Sequence, residues 1–327
     1  MGITTIEWTD VTWNPTRGCS RVSEGCRYCY AERTAARFAK GDTVHQIPSG
    51  EYAGTREGPF HGFVQIANGH PQWTGKVELV AEHLEDPLHW RKPRRVFVNS
   101  MSDLFHEALS DGAIDQVFAV MALCPQHTFQ VLTKRPERML RYCKTLGGHH
   151  ELDRVSIAMK AITSERGAFY RLGPNGWNFP NVWLGVSVED QNTADERIPL
   201  LLQTPAAVRF VSYEPALGLV DFNAIPNRWK GNGAGIDWVI VGGESGPRAR
   251  PFDLRWALNT VEQCRKAGVA CFVKQVGSKP FISERPGLRY LPFTPPNEYR
   301  FHDRKGGDPE EWPEMIRVRQ FPKEELA

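Results

Sequence analysis

The run NVWLGVSVED, residues 181–190, is apolar from Val182 through Val186, gathers polar residues at its end, and precedes a helix candidate at 192–202. A compact run rich in Val, Trp and Leu suits a strand buried on both faces of a parallel sheet. Five other runs share the plan: RRVFVNSMSD (94–103), TFQVLTKRP (128–136), VRFVSYEPA (208–216), DWVIVGGESG (237–246) and VACFVKQVG (269–277). Helix candidates lie at 111–124, where Ile114, Val117, Phe118 and Met121 recur at helical spacing, and at 136–144 and 253–267. Pro136 and Asp253 stand where a helix would start.

Strand then helix, repeated, predicts parallel β/α units. A further strand at 11–16 brings the count to about seven, so the expected fold is α/β, a single partial or complete (β/α) barrel. An open Rossmann sheet is the alternative, although no Gly-x-Gly-x-x-Gly follows the first strand. Residues 41–75, rich in Gly, Pro, His and aromatics, read as a long irregular insertion, and 173–181 and 225–236 as loops. The expected organisation is a barrel over 1–279 with an extension over 280–327 packing on it.

The chain has 327 residues, 41% hydrophobic and 24% charged, which is ordinary globular composition. No run reaches the roughly 18 apolar residues of a membrane-spanning helix, and residues 1–10 lack the pattern of a signal peptide. The expectation is a soluble, cytoplasmic protein with no membrane partner; its oligomeric state is left open. A net charge of +2 permits a nucleic-acid partner without requiring one. Of seven cysteines, Cys124, Cys143, Cys264 and Cys271 are scattered through apolar surroundings and read as core thiols, not as a disulfide framework.

The other three are bunched in TWNPTRGCSRVSEGCRYCYAERTAARFAKGD, residues 12–42. Cys19, Cys26 and Cys29 form a Cys-x6-Cys-x2-Cys loop able to wrap three corners of a [4Fe-4S] cluster and leave one iron open. Structural zinc would ask for a fourth ligand, for which His45 and His61 are the near candidates. That alternative makes the chain a zinc-binding nucleic-acid interaction module without radical chemistry.

A three-cysteine loop after a first strand, Tyr28 and Tyr30 flanking the last cysteine, a helix behind and a β/α barrel downstream resemble the radical S-adenosylmethionine superfamily, whose commonest pattern has three residues between the first two cysteines. More narrowly, TWNPTRGCSRVSEGCRYCYAE, NSMSDLFHE, LTKRP, WLGVSVEDQ, VSYEPALG, GGESGPRARP and DRKGGDPEEWP resemble, in order, the motifs of the phage Gp37/Gp68-like family (DUF5131). The superfamily resemblance implies that S-adenosylmethionine is chelated at the open iron, that an external electron donor reduces the cluster, and that a 5′-deoxyadenosyl radical forms.

In a barrel, side chains at the C-terminal ends of strands converge on one mouth. The expected cofactor contacts are Tyr30, Asn99, Ser100, Ser102 and Asp103, then Ser187, Glu189 and Glu214, and Gly242, Gly243 and Glu244, where backbone could approach a ligand closely. The superfamily resemblance places the amino group of S-adenosylmethionine at the NSMSD stretch. Lys134, Arg135, Arg248, Arg250, Lys274 and Gln275 are expected around the same rim, either to meet a nucleotide or nucleic-acid base as substrate, DNA included, or to neutralise the rim acids. Phe60, Phe63 and Trp73 of the insertion are the aromatics expected to stack such a base. His106 reads as a packed or capping residue.

Overall fold

The computed structural model describes residues 4–39, 58–146, 154–163, 179–226, 228–229, 235–246, 248–283 and 301–322. Within them seven strands, β1 (Val11–Trp13), β2 (Arg95–Val98), β3 (Thr128–Thr133), β4 (Val182–Val188), β5 (Val208–Tyr213), β6 (Trp238–Gly242) and β7 (Ala270–Gln275), follow one another in the sheet in chain order. The registered pairs are parallel. A doubly wound sheet reverses direction at a switch point. This order never reverses, so the fold is mixed α/β with barrel-type winding, and the Rossmann alternative falls.

The helices are α1 (Tyr30–Ala39), α2 (Asp111–Leu123), α3 (Pro136–Lys144), α4 (Arg154–Thr163), α5 (Gln191–Gln203) and α6 (Leu254–Ala267). The chain divides into two compact units, one holding residues 10–131 and 148–170, the other 5–9, 132–147 and 171–327.

In the first unit, Val11 lies opposite Val96 and Trp13 opposite Val98, and the Trp13 ring packs 5.7 Å from Phe129. Ser110 caps α2 by accepting the Ala113 N–H, and Ile114, Val117, Phe118 and Met121 are fully buried, as their spacing predicts.

The insertion departs from expectation. Val64–Ala67 and His70–Trp73 form an antiparallel hairpin whose turn residues Asn68 and Gly69 both have positive φ (50° and 73°). Asn-Gly suits the tight primed turns that join twisted strands, so this part of 41–75 is regular, not irregular. Residues 40–57 lie outside the described residues, as do 173–178, 230–234 and 284–300.

In the second unit β4 is buried along its whole length. Gly185 at its centre is obligatory, because an added Cβ would lie 2.6 Å from the Phe210 ring of β5. Asp190 starts α5 with a reciprocal cap: its carboxylate accepts the Thr193 N–H, and the Thr193 hydroxyl accepts the Asp190 N–H. Near the C-terminus, Val273 N–H donates to Val318 O and Gln320 N–H to Cys271 O, and Phe321 packs 5.4 Å from both Trp238 and Phe272. This segment covers hydrogen-bonding groups that β7 would otherwise expose.

Candidate functional site

Beyond β1 the chain is tied at once to the end of β2. Asn14 Oδ1 accepts the Ser100 hydroxyl and the Met101 N–H, both at 3.1 Å, and the Thr16 and Ser102 hydroxyls lie 2.8 Å apart. Gly18 (φ 86°) carries the chain beneath the hairpin; a Cβ there would lie 2.7 Å from the Phe63 ring and collide with Lys76 O. Ser20 Oγ is 2.8 Å from His106 Nε2. His106 Nδ1 accepts the Ala108 N–H, so its Nε2 carries the proton and donates to Ser20. His106 thus anchors the cysteine loop, the packed role expected of it.

Cys19, Cys26 and Cys29 are all half-buried, and none is in a disulfide among the described residues. Cys19 and Cys29 pack on the same cluster of Ala31, Ala35, Phe63 and Trp73. Burial pushes the Cys29 thiol above its ordinary range, the N–H groups of Glu32 and Ala31 at the start of α1 pull the other way, and the nearby Cys26 adds to the rise. The Tyr30 hydroxyl donates to Ser100 O at 2.5 Å while its ring stays half-exposed.

Arg21, within the spacer, donates from Nε and Nη2 to the two carboxylate oxygens of Glu32 at 2.8 and 2.6 Å. Glu32 is 1% exposed and also accepts the Trp73 N–H at 3.1 Å.

The donors suit a thiolate-held cluster: three soft ligands in one neighbourhood, backbone N–H groups on one sulfur, and a cation close by. Among the described residues no three His, Cys, Asp or Glu side chains are grouped as around a single metal ion. His45 lies outside the described residues, and His61 is exposed.

Asn99 ends β2 in the left-handed region (φ 62°), 3% exposed, with Oδ1 accepting the Thr16 N–H at 3.4 Å and Nδ2 without a hydrogen-bond partner among the described residues. A strained residue with an orphaned buried donor is uncommon and concentrates at ligand sites. Asp103, by contrast, accepts the Phe105 N–H and caps its turn.

The expectation for the insertion aromatics is overturned for Phe63 and Trp73. Phe63 (3% exposed) and Trp73 (9%) are buried beneath the hairpin, and Phe60 packs on both at 6.5 and 6.3 Å. They wall the cysteine loop because the hairpin turns alternate side chains onto α1, which leaves the faces of Phe63 and Trp73 unavailable for stacking a base.

The second unit gathers its strand-end residues into ion pairs. Lys134, after β3, bonds Ser187 Oγ at 2.6 Å and the buried Glu189 carboxylate, which Arg197 of α5 also holds at 3.2 Å. Glu214 pairs with Lys274 at 3.0 Å and accepts the Ser212 hydroxyl. Glu244 is held by the Arg250 fork. Gln275 donates to Gly243 O. Gly242 makes room for the Glu214 carboxylate and Gly243 for Phe252, so neighbouring side chains account for both missing Cβ atoms. Arg135 is buried at the start of α3, its N–H on Thr133 Oγ1, whereas Arg248 is exposed.

Asn14, Ser20, Arg21, Glu32 and Arg197 were not singled out by sequence reasoning. Only Glu32 had a legible signal, being the first acidic residue of the helix behind Cys29.

A seven-stranded parallel α/β fold with a three-thiol loop behind its first strand defines the class of protein. The profile of the family described as "Protein of unknown function (DUF5131)" matches residues 3–303, and the chain belongs to that family. No curated protein and no solved structure matches it. Among the described residues no helix is long and apolar enough to cross a membrane.

Proposed function

We propose that the chain is a radical S-adenosylmethionine enzyme whose cluster is held by Cys19, Cys26 and Cys29. The observation that carries this reading is the loop itself: three half-buried thiols behind the first of seven parallel strands, backed directly by α1. A [4Fe-4S] cluster bound there, reduced by an external donor, would supply one electron to S-adenosylmethionine, cleaving its carbon–sulfur bond to methionine and a 5′-deoxyadenosyl radical that takes a hydrogen atom from substrate. The chain's own part is orientation. Asn99 Nδ2 offers a buried donor, the Ser100 and Ser102 hydroxyls follow it in sequence, and Tyr30 fixes Ser100 O. The hairpin aromatics Phe63 and Trp73 wall one side of Cys19 and Cys29.

The substrate half of the reading is a nucleotide or nucleic-acid base held at the second unit's strand ends. Arg248 is exposed there, and Lys134 and Lys274 are held by carboxylates that phosphate would have to replace. Retention of oligonucleotide that weakens as salt rises supports it; salt-insensitive binding of a neutral metabolite overturns it.

Anaerobic reconstitution tests the first half. Iron and sulfide should load, S-adenosylmethionine should change the reduced cluster's paramagnetic signal, and 5′-deoxyadenosine should be released. Cys26→Ala should abolish loading and Cys143→Ala should not. Zinc alone, or a loaded cluster that neither binds nor cleaves the cofactor, overturns the reading.

A further inference from the structure

The spacer between Cys19 and Cys26 has six residues, and a spacer that long must be held if its two ends are to present thiols in a fixed geometry. Arg21 lies inside it. Its guanidinium meets the Glu32 carboxylate fork to fork, at 2.8 and 2.6 Å, with Nη2 also 3.4 Å from Pro71 O. Such two-point pairs fix direction as well as distance.

Glu32 joins four parts of the site. Its side chain takes Arg21 of the spacer and the Trp73 N–H of the hairpin, its N–H is directed at Cys29, and its backbone belongs to the first turn of α1. Packing alone does not call for this pair, because a buried ion pair replaced by apolar side chains of similar volume is often neutral or more stable. What apolar residues could not supply is the directed two-point hold on the spacer. Thiolates bring negative charge into a half-buried loop, and a guanidinium stays protonated throughout the ordinary pH range. Arg21 lies two residues after Cys19 and Glu32 three after Cys29, so both charges of the pair belong to the segment that carries the thiols. Without Arg21, a buried carboxylate would face the thiolates uncompensated.

We infer that Arg21 and Glu32 form a positioning clamp that closes the long Cys19–Cys26 spacer and cancels the Glu32 carboxylate beside the cluster-binding thiolates, so that this carboxylate does not oppose the more negative, reduced cluster. The clamp rests on the cluster reading of the preceding section. It acts through the thiols and touches no reacting atom.

The test uses the full chain, reconstituted anaerobically with ferrous iron and sulfide, as wild type, Arg21→Gln, Arg21→Lys, and the double variant Arg21→Gln with Glu32→Gln. Iron per chain, thermal melting and the cluster's midpoint potential are measured without S-adenosylmethionine. Arg21→Gln should load several-fold less iron, and what loads should be harder to reduce. An uncompensated unit charge roughly 10 Å from a redox centre, in a medium of effective dielectric about 20, changes a one-electron equilibrium on the order of tenfold, or about 59 mV. Arg21→Lys keeps the charge and loses the fork, so its loading should fall while its potential stays near wild type. The double variant leaves no uncompensated carboxylate and should load more iron than Arg21→Gln. A merely structural clamp would lower melting and leave the potential unmoved.

Full loading of Arg21→Gln at the wild-type potential overturns the clamp. If Arg21→Gln does not fold, an Arg21→Lys potential shifted by a similar tenfold overturns the charge role instead. Iron-free wild type overturns the radical reading and the clamp with it, an outcome distinct from a loaded wild type whose variants behave alike.

Discussion

Replacing Phe63 with Ala separates a wall of the cysteine loop from a surface that stacks bases. Phe63 is 3% exposed, packs with Ala31, Ala35 and Trp73, and carries the Lys76 ammonium 4.4 Å from its ring centroid. Deleting a buried Phe costs about 3–5 kcal/mol where the cavity cannot collapse. This cluster is a small satellite under a hairpin, able to relax, so the lower end applies: about 3 kcal/mol, including under about 1 for the cation over the ring. If the unit melts as a whole, that is roughly 6–12 °C in Tm. If the hairpin opens locally, protection of the Thr74 N–H, which donates to Phe63 O at 2.9 Å, should fall on the order of 100-fold in hydrogen exchange. Ile66, 68% exposed on the same hairpin, is the control, and Ile66→Ala should stay within about 0.5 kcal/mol. A Phe63→Ala protein equally unperturbed by both measures would refute the wall and return the ring to the surface.

Three further outcomes are expected. Burial pushes the Cys124 thiol up to about 12 and the Cys143 thiol up as well, so both stay protonated at pH 8, and iodoacetamide followed by mass spectrometry should label Cys19 and Cys26 well before either. Glu189→Ala should cost roughly 3–5 kcal/mol in denaturant unfolding, because it strands the buried Arg197; a loss under about 1 kcal/mol would show that the arginine finds another partner. The N–H groups of Lys305 and Gly307 hold the Asp303 carboxyl below its ordinary range, so its stabilisation is present above about pH 4 and lost as pH falls through the lowered value; Asp303→Asn should lower Tm at neutral pH and flatten its fall in acid.

Much of the fold was legible because burial on both faces leaves a continuous apolar run, as in β4, and because helix spacing survives in Ile114, Val117, Phe118 and Met121. The hairpin was legible too, in Asn68-Gly69, but the surrounding Gly, Pro and His masked a turn signal that works only with a strand on each side. The cysteines announced themselves by spacing. Their supports did not, since Arg21 and Glu32 look like solvated charges until the fold brings residues eleven apart into one fork. Phe63 illustrates the same limit: sequence shows an aromatic in a loop-like stretch, and only the hairpin's alternation decides which way the ring points.

The second unit's strand ends show why polar residues at such places are hard to assign. Lys134 and Arg197 on Glu189, Lys274 on Glu214, and Arg250 on Glu244 form opposite-charge pairs, and Gly242 is small because the Glu214 carboxylate occupies the space of its Cβ. An array paired within itself costs a ligand more than a bare cationic rim would, because each new contact must replace an existing one. Lys274 and Glu214, with side chains 23% and 14% exposed, can make that exchange; Glu189 and Arg197, at 1% and 3%, cannot without stranding a buried charge. If the substrate carries phosphate, Lys274 is a cation of this array able to turn to it, and Lys274→Ala should then reduce the salt dependence of its binding.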